Sequence, residues 1–180
     1  MVLRPEHFVM HHALRKTWRR LIREHRLSID FNFDFDQVMH WCAQIPRTNQ
    51  QGTWIGPDMI QAYNALHRAG HAKCIAARID DQLVGGLYAV VLGRMVYGES
   101  MFSLRPNGSK LALAALVAWA RHHGLSMIDC QQDTAHLRSL GGQTLSRADF
   151  LAEMHQLIDQ PTPEWVFSPI FWSELRPETT

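Results

Sequence analysis

The spacing of apolar residues changes several times along the chain, and each spacing predicts a different element. Over 12–26 an apolar stripe recurs every three or four positions, which predicts an amphipathic helix: Leu14, Trp18, Leu21 and Ile22. Over 28–33 apolar and polar residues alternate, which predicts a strand. Asp34 or Asp36 can then cap a short helix that extends to position 45.

The middle of the chain predicts one helix followed by a sheet. Pro57 suits a first helical turn, and Gly70 ends the helix that begins there. Three strand patterns follow at 72–79, 83–92 and 94–101. The connections between them are too short for crossovers, so we expect an antiparallel meander.

The second half of the chain predicts a long buried helix and a closing strand. Residues 109–123 are apolar nearly all round, so we expect this helix to be covered on most sides until Gly124 stops it. A short buried strand over 126–131 follows. Two further helices are predicted near 134–140 and 147–158.

The order of these elements resembles the GNAT N-acyltransferase architecture, an α+β fold with a mixed, mostly antiparallel sheet flanked by helices. Fold-level likeness raises the expectation of acyl transfer without establishing it. We divide the chain into a basic helical segment (1–27), a GNAT-like transferase domain (28–160) and a C-terminal tail (161–180). The tail is rich in proline and aromatic residues, so we expect it to pack back on the domain: Trp165, Phe167, Phe171 and Trp172.

The composition excludes several classes of protein. The 180 residues are 46% hydrophobic and 19% charged, which is typical of one globular domain and not of a disordered or collagen-like chain. No apolar run approaches the roughly 20 residues of a membrane span, and the first ten residues lack the apolar segment of a secretion signal, so we expect a cytoplasmic location. The cysteines are odd in number and far apart, which predicts free thiols: Cys42, Cys74 and Cys130.

The net charge of +1 conceals a basic N-terminal end. Seven of the 18 Lys and Arg residues lie within the first 26 positions, against only Glu6 and Glu24. A basic helix that also carries Trp18 is typical of a surface that follows nucleic-acid phosphates, although such runs are often only solvated faces. Contacts of this kind position a nucleic acid by its backbone and do not read its sequence.

Two carboxylates stand at predicted strand ends, where ligands commonly bind in α/β sheets. Glu99 follows Gly98, and a glycine permits close approach of a ligand to the backbone. This segment is either an anionic site for an amine or an exposed strand end. With the alternation of a strand, Asp129 and Gln131 project to one face and Cys130 to the other, so the acid and the amide can act together while the thiol packs.

Two other motifs suggest different chemistry. The loop 105–110 (Arg-Pro-Asn-Gly-Ser-Lys) partly resembles the pyrophosphate loop of coenzyme A-dependent GNAT enzymes. Lys110, however, stands where a small residue is usual, and a capped helix start is the alternative interpretation. Two histidine pairs have the spacing of helical metal ligands: His7 with His11, and His67 with His71. Gly70 interrupts the second pair and no HExxH motif occurs, so we expect no metal.

A set of short strings occurs in one order along the chain: Gly-Thr-Trp-Ile (52–55), Ala-Tyr (62–63), Leu-His (66–67), Gly-His-Ala (70–72), Leu-Val-Gly-Gly-Leu-Tyr (83–88), Gly-Glu-Ser-Met-Phe-Ser (98–103), Ser-Lys (109–110), Asp-Cys-Gln (129–131), His-Leu (136–137) and Ser-Leu-Gly (139–141). Together these strings resemble the bacterial leucyl/phenylalanyl-tRNA protein transferases. The similarity extends from about residue 3 to about residue 154.

The resemblance implies transfer of leucine or phenylalanine from its tRNA to the α-amino group of proteins that begin with Arg or Lys, which marks them for degradation. Its implied partners are aminoacyl-tRNA and these acceptor proteins or peptides, with no DNA and no membrane. The aminoacyl ester is already activated, so the enzyme mainly aligns the amine, manages its proton and stabilises the oxyanion. No metal or coenzyme is implied.

By match to family positions, the resemblance also implies roles for single residues. Asp129 takes or relays the proton of the attacking amine with Gln131 as its partner, while Glu99 orients that amine or the cationic N-terminal residue, or acts on the terminal adenosine. Trp54 stacks on that adenosine or forms a wall of its site. An apolar pocket receives the transferred side chain: Leu87, Gly98, Met101, Leu113, Leu116 and Ile128. Basic residues bind the tRNA: Arg15, Lys16, Arg19, Arg20, Arg23 and Lys110.

The chain departs from the family pattern in two places. Leu116 and Ala120 stand where larger aromatic residues are usual, so we expect a wider pocket or one refilled by Trp119. Relatives usually carry an additional N-terminal portion with an aromatic residue that helps to hold the adenosine. We expect that another chain supplies this portion, that Trp18 or the aromatic tail replaces it, or that its absence alters the function. Two alternatives therefore stay open, an acyl-coenzyme A-dependent N-acyltransferase and a non-catalytic module that binds tRNA or degradation signals.

Overall fold

The computed structural model describes residues 1–31, 33–45 and 55–175, which form a six-stranded sheet with helices on both faces. The strands are β1 (Val2–Leu3), β2 (Leu27–Asp30), β3 (Ala72–Ile79), β4 (Gln82–Leu92), β5 (Met95–Ser103) and β6 (Ile128–Asp129). The helices are α1 (His12–Arg23), α2 (Phe35–Gln44), α3 (Pro57–Arg68), α4 (Gly108–His122), α5 (Ala135–Ser139) and α6 (Arg147–Ile158). Two 3₁₀ segments cover Pro5–His7 and Pro169–Leu175.

The strands are arranged in the order β1-β6-β5-β4-β3-β2. All neighbouring pairs are antiparallel except β5 and β6, which are parallel because α4 carries the chain back across the sheet between them. The predicted meander of β3, β4 and β5 is confirmed. The α+β class and the predicted order of elements from β2 to β6 are confirmed as well.

Helix α4 lies against one face of the sheet, and its positions 111–120 are all buried. Its start is in backbone contact with β4, because a Cβ placed on Gly108 would lie 1.9 Å from the carbonyl oxygen of Val84. On its other side, the Nε1 of Trp119 donates to the carbonyl of Glu164 in the tail. The helix is therefore covered on most sides, as its apolar sequence predicts. Helices α2 and α3 cover the opposite face of the sheet.

The C-terminal tail packs against α4 and α1 within the described residues. Trp165 is buried and donates through Nε1 to the carbonyl of Cys74 in β3, 3.1 Å away. The rings of Trp172 and Trp18 meet edge to face with centroids 5.7 Å apart. Arg121 donates to the carbonyls of Pro5 at 2.8 Å and Glu174 at 2.6 Å. Arg121 of α4 thus contacts both the N-terminal and the C-terminal segment of the described chain. Our division of the chain into three segments remains a prediction.

The N-terminal residues add a strand that the sequence pattern does not predict. Strand β1 pairs with β6, and Arg4 then forms an ion pair with Glu153 of α6 at 2.8 Å. Ser126 donates to the same carboxylate. Hydrogen bonds from Arg4 and Ser126 lower the pKa of Glu153 against the opposing effect of burial. These contacts hold the first strand beside the candidate site described next.

Cys42, Cys74 and Cys130 form no disulfide within the described residues. None of the helices in the described ranges has the length and apolar character that a bilayer span needs. Within the same ranges, the structure contains no cluster of three or more His, Cys, Asp and Glu side chains that can hold a metal ion.

Candidate functional site

The parallel strands β5 and β6 run side by side for only two residues before they separate. Val96 pairs with Ile128 and Tyr97 with Asp129, and Asp129 is the last residue of β6. The chain then turns away at Gln131, which has a left-handed φ of 59°. Strand β5 continues to Ser103, so its later residues border an opening between the two strands.

Glu99 lies beside this opening because β5 contains a bulge. Ala89 of β4 pairs with Gly98 and Tyr88 pairs with Ser100, which leaves Glu99 as the extra residue. A bulge changes the direction of a side chain relative to the regular alternation. Since Tyr97 is the partner of Asp129, Glu99 lies two residues farther along β5, which is about 7 Å at the usual rise per strand residue.

The carboxylate of Glu99 is held by a tyrosine from α3. The Oη of Tyr63 donates to Oε2 of Glu99 at 2.8 Å, and both side chains are half-buried. Burial, and then the hydrogen bond and charge of Glu99, raise the pKa of Tyr63 well above its usual value, so the phenol remains a donor. Glu99 therefore projects towards the face of the sheet that α3 covers.

Asp129 reaches the opening from the neighbouring strand. Its Oδ1 accepts a hydrogen bond from the backbone N–H of Gln131 at 2.8 Å. The expected alternation over 126–131 is wrong at its end, because β6 stops at Asp129 and the contact comes from the backbone of Gln131 and not from its side-chain amide. Tyr97 lies near this carboxylate, since burial and then the charge of Asp129 raise its pKa. Two carboxylates, Asp129 and Glu99, thus border one opening.

Cys130 stands between these polar groups but has the environment of a packing residue. Its side chain contacts the main core, and burial, followed by the charge of Asp129, raises its pKa to about 11. A nucleophilic cysteine needs a depressed pKa and a neighbouring base. The surroundings of Cys130 therefore favour the expected packing role.

Apolar residues from four elements, β4, β5, β6 and α4, belong to the main core or pack against it. Leu87 of β4, Leu113 and Leu116 of α4, and Ile128 of β6 belong to one buried cluster, and Met101 of β5 packs against it. The structure thus places five of the predicted pocket residues in or against one core cluster, and Gly98 lies on β5 with Met101. A core and a substrate pocket both require such a cluster, so the role of these residues in binding stays a prediction.

Trp119 is not available to refill the pocket. Its ring packs against Trp165, with centroids 4.9 Å apart, and against Phe31, and its Nε1 donates to the tail. Ala120 is buried on the same helix. Of the two expectations for this region, the wider pocket is the one that remains.

The loop before α4 is largely engaged in internal contacts. The backbone N–H of Ser109 donates to Oγ of Ser103 at 2.9 Å, so this amide at the helix start already has a partner. Arg105 is hydrogen-bonded to Gln82. These contacts favour the interpretation of 105–110 as a capped helix start over that of a pyrophosphate loop.

A family model described as leucyl/phenylalanyl-tRNA protein transferase matches residues 2–155. The match covers most of the chain and includes both carboxylates at the opening. The chain belongs to the leucyl/phenylalanyl-tRNA protein transferase family. The resemblance carried by the short sequence strings is therefore confirmed.

Two relatives carry the family name leucyl/phenylalanyl-tRNA–protein transferase. The protein of a Polaromonas species is 48% identical over 175 residues, which cover 97% of this chain and 69% of that protein. The protein of Paraburkholderia phytofirmans is 48% identical over 167 residues, which cover 93% of this chain and 68% of that protein.

Solved structures of two acetyltransferases are similar at a lower level. An aminoglycoside acetyltransferase from an uncultured soil metagenomic sample has a TM-score of 0.43 and 14% identity, with 78% of this chain and 92% of that chain covered. The ribosomal-protein-alanine N-acetyltransferase of Brucella melitensis has the same score and identity, with 78% and 95% covered. The fold assignment here rests on the order and pairing of the strands.

The residues predicted to bind tRNA in this leucyl/phenylalanyl-tRNA protein transferase family member lie in two places. Lys16, Arg19, Arg20 and Arg23 are exposed on α1, while Arg15 is half-buried beside them. Lys110 lies in the first turn of α4 near His136, whose pKa is lowered by burial and then by the charge of Lys110. The structure therefore does not gather all six residues on one helix.

Two aromatic predictions have different outcomes. Trp54 lies outside the described residues, so its stacking on adenosine stays a prediction. Trp18 is only 3% exposed and packs against Trp172, so it offers no ring face to a base. Trp165 and Trp172 of the tail are buried as well. The structure therefore does not support the expectation that Trp18 or these tail rings replace the aromatic residue that holds the adenosine in relatives.

The sequence pattern assigns no role to two residues of this site, Tyr63 and Tyr97. Tyr63 stands 36 positions before Glu99, and no local pattern connects the two. Tyr97 has a regular strand position and becomes relevant only through the β5–β6 pairing. The string Ala-Tyr at 62–63 is the one sequence signal that singles out Tyr63.

Proposed function

We propose that this protein transfers leucine or phenylalanine from aminoacyl-tRNA to the α-amino group of proteins that begin with Arg or Lys, and so marks them for degradation. The observation that carries the proposal is the presence of two carboxylates, Glu99 and Asp129, at the opening between β5 and β6. Membership in the transferase family supports the same reaction.

The charge of the acceptor suits this pair of carboxylates. An N-terminal Arg or Lys residue carries a cationic side chain beside an α-amino group that is itself protonated in part at neutral pH. Glu99 orients the cationic terminus, and Asp129 accepts or relays the proton that the α-amino group must lose. Opposite charges within a few ångströms stabilise such a complex most where water is partly excluded, and both carboxylates are half-buried.

The transfer itself exchanges an ester for an amide. The neutral amine nitrogen attacks the carbonyl carbon of the aminoacyl ester, and the bond from that carbon to the ribose oxygen of the tRNA breaks. The proton released by the amine passes by way of Asp129 and ends on the leaving ribose oxygen. The hydrogen bond from the Gln131 backbone N–H keeps the Asp129 carboxylate in place for this step.

The transferred side chain is selected by burial. Leu87 and Leu113 belong to the main apolar core and Met101 packs against it, and a leucine or phenylalanine side chain gains about 1.5–3 kcal/mol when it is buried among such residues. A charged side chain would lose its hydration without a partner there. The exposed cations of α1 contact the phosphates of the tRNA acceptor stem.

A transfer assay tests the proposal directly. Labelled leucine or phenylalanine on tRNA is incubated with peptides that begin with Arg, Lys or Ala, and the products are measured by mass. We expect product with Arg and Lys and none with Ala. A folded protein that binds tRNA but forms no product would favour the non-catalytic binding module, and absence of tRNA binding would favour the acyl-coenzyme A alternative.

Substitution of the two carboxylates tests the site. Asp129→Asn and Glu99→Ala should each reduce transfer by about 100-fold or more, which is the usual contribution of a positioned acid or base. Circular dichroism should show that both variants remain folded, since neither side chain is fully buried. Wild-type transfer rates in both folded variants would refute the assignment.

A further inference from the structure

Tyr63 is the one hydrogen-bond partner of the Glu99 carboxylate found in the described part of the chain. Its Oη donates to Oε2 at 2.8 Å, and its ring packs against the buried ring of Tyr88 with centroids 5.0 Å apart. The contact joins a helix to a strand that is 36 positions away along the chain. It therefore depends on how α3 is fixed on the sheet.

Several contacts fix α3 just after Tyr63. The side-chain amide of Asn64 donates to the carboxylate of Asp36 on α2. One turn farther along, the ring of His67 stacks on Phe35 with centroids 4.3 Å apart, and its Nδ1 lies 2.8 Å from the carbonyl of Ala72. The phenol of Tyr63 is therefore presented to Glu99 from a rigid support, which is what a precisely placed site requires.

Glu99 needs such support because it is the extra residue of the β5 bulge. A bulged residue has no cross-strand neighbour to restrict its side chain. A glutamate also has three rotatable side-chain bonds whose freedom must be restricted if the carboxylate is to act in one orientation. The hydrogen bond to Oε2 restricts them and leaves Oε1 available to a further partner.

We propose that Tyr63 is the positioning residue for Glu99, and that it holds the carboxylate with Oε1 directed at the cationic amino-terminal residue of the acceptor. This inference rests on the role of Glu99 in the proposed function. Tyr63 acts through Glu99 and touches no reacting atom. The hydroxyl, and not the ring, carries the role.

The variant Tyr63→Phe removes the hydroxyl and keeps the ring that packs against Tyr88. We expect KM for an acceptor peptide with N-terminal Arg to rise about 10-fold, the usual effect of one hydrogen bond to a charged group. The KM for aminoacyl-tRNA, kcat and the midpoint of thermal unfolding should stay within about twofold or 2 °C of wild type. Gln61→Ala, an exposed change on the same helix, is the matched control and should alter none of these values.

A double variant separates positioning from a structural effect. In a Glu99→Gln background, Tyr63→Phe should cause no further rise in KM, because the charged group that it positions is already absent. An equal loss in both backgrounds would overturn the proposal, as would an unchanged KM in Tyr63→Phe. A rise confined to the KM for aminoacyl-tRNA would also overturn it, since Glu99 would then act on the adenosine.

The single variant Glu99→Gln distinguishes failure of this inference from failure of the proposed function. If Glu99→Gln transfers at the wild-type rate, the role of Glu99 in the proposed function is wrong and the inference falls with it. If Glu99→Gln is impaired while Tyr63→Phe is not, only the positioning role of Tyr63 is refuted.

Discussion

Reversal of the charges on Arg19 and Arg20 tests whether α1 is the tRNA-binding surface. Both side chains are exposed, and they lie on the side of the helix opposite the buried residues Leu14, Trp18 and Leu21. Neither forms an ion pair with another of the described residues, whereas Arg23 contacts Glu24 at 3.7 Å. Substitution of both by Glu therefore removes two available cations and leaves the packing of α1 unchanged.

The expected magnitude follows from the number of phosphates that these cations neutralise. The helix rises about 1.5 Å per residue, so the exposed cations from Lys16 to Arg23 extend over about 10 Å, enough to contact adjacent phosphates. Each contact contributes about 0.9 to the slope of log K against log salt concentration. Loss of two contacts should flatten the slope by about 1.8. Relative to wild type, the variant should therefore lose about 60-fold more affinity at 0.1 M salt than at 1 M salt.

Fluorescence anisotropy with labelled tRNA over a salt series measures both quantities. The matched control is Arg68→Glu with Arg147→Glu, which changes the net charge by the same amount at exposed positions on α3 and α6. We expect the control to keep the wild-type slope. An unchanged slope in the α1 variant, or equal losses in both double variants, would refute α1 as the tRNA surface and leave only a general effect of net charge.

Three further predictions concern stability, measured by denaturant unfolding. Trp172→Ala should lower the free energy of unfolding by about 3–5 kcal/mol because the ring is only 5% exposed, whereas Ile170→Ala, at a side chain 69% exposed, should change it by less than about 0.5 kcal/mol. Gly108→Ala should cost about 3 kcal/mol or more, since its Cβ would overlap the backbone of β4, while Gly56→Ala meets no atom within 4 Å and should be tolerated. The ion pair of Glu153 lowers its pKa in the folded state, so its stabilisation is fully present above the ordinary value of 4.5 and is lost as the pH falls through the lower folded value. The stability difference between wild type and Glu153→Gln should therefore narrow as the pH falls below the ordinary value of 4.5, and a gap that stays constant in this acid range would contradict the linkage.

Local sequence signals are enough to predict the elements whose ends are determined by residues nearby in the sequence. The strand over 72–79 and the helix over 147–158 have the predicted bounds, and the helix that starts at Pro57 ends near Gly70 as expected. Apolar spacing, a proline and a glycine are enough for these elements because they act within one or two turns. Strand β1 has only two residues and no period, so it is recognised only by its pairing with β6.

The geometry of the candidate site depends on contacts between strands that local sequence patterns do not predict. The sequence places Glu99 and Asp129 near strand ends, but alternation alone implies that Gln131 shares a face with Asp129, and the left-handed turn at Gln131 ends the strand before that rule applies. Likewise, the bulge at Glu99 is a shift of one residue between β4 and β5, and a shift of register depends on the pairing of two strands. The direction of both carboxylates therefore follows from the three-dimensional pairing, and the same pairing brings Tyr63 within hydrogen-bonding distance of Glu99.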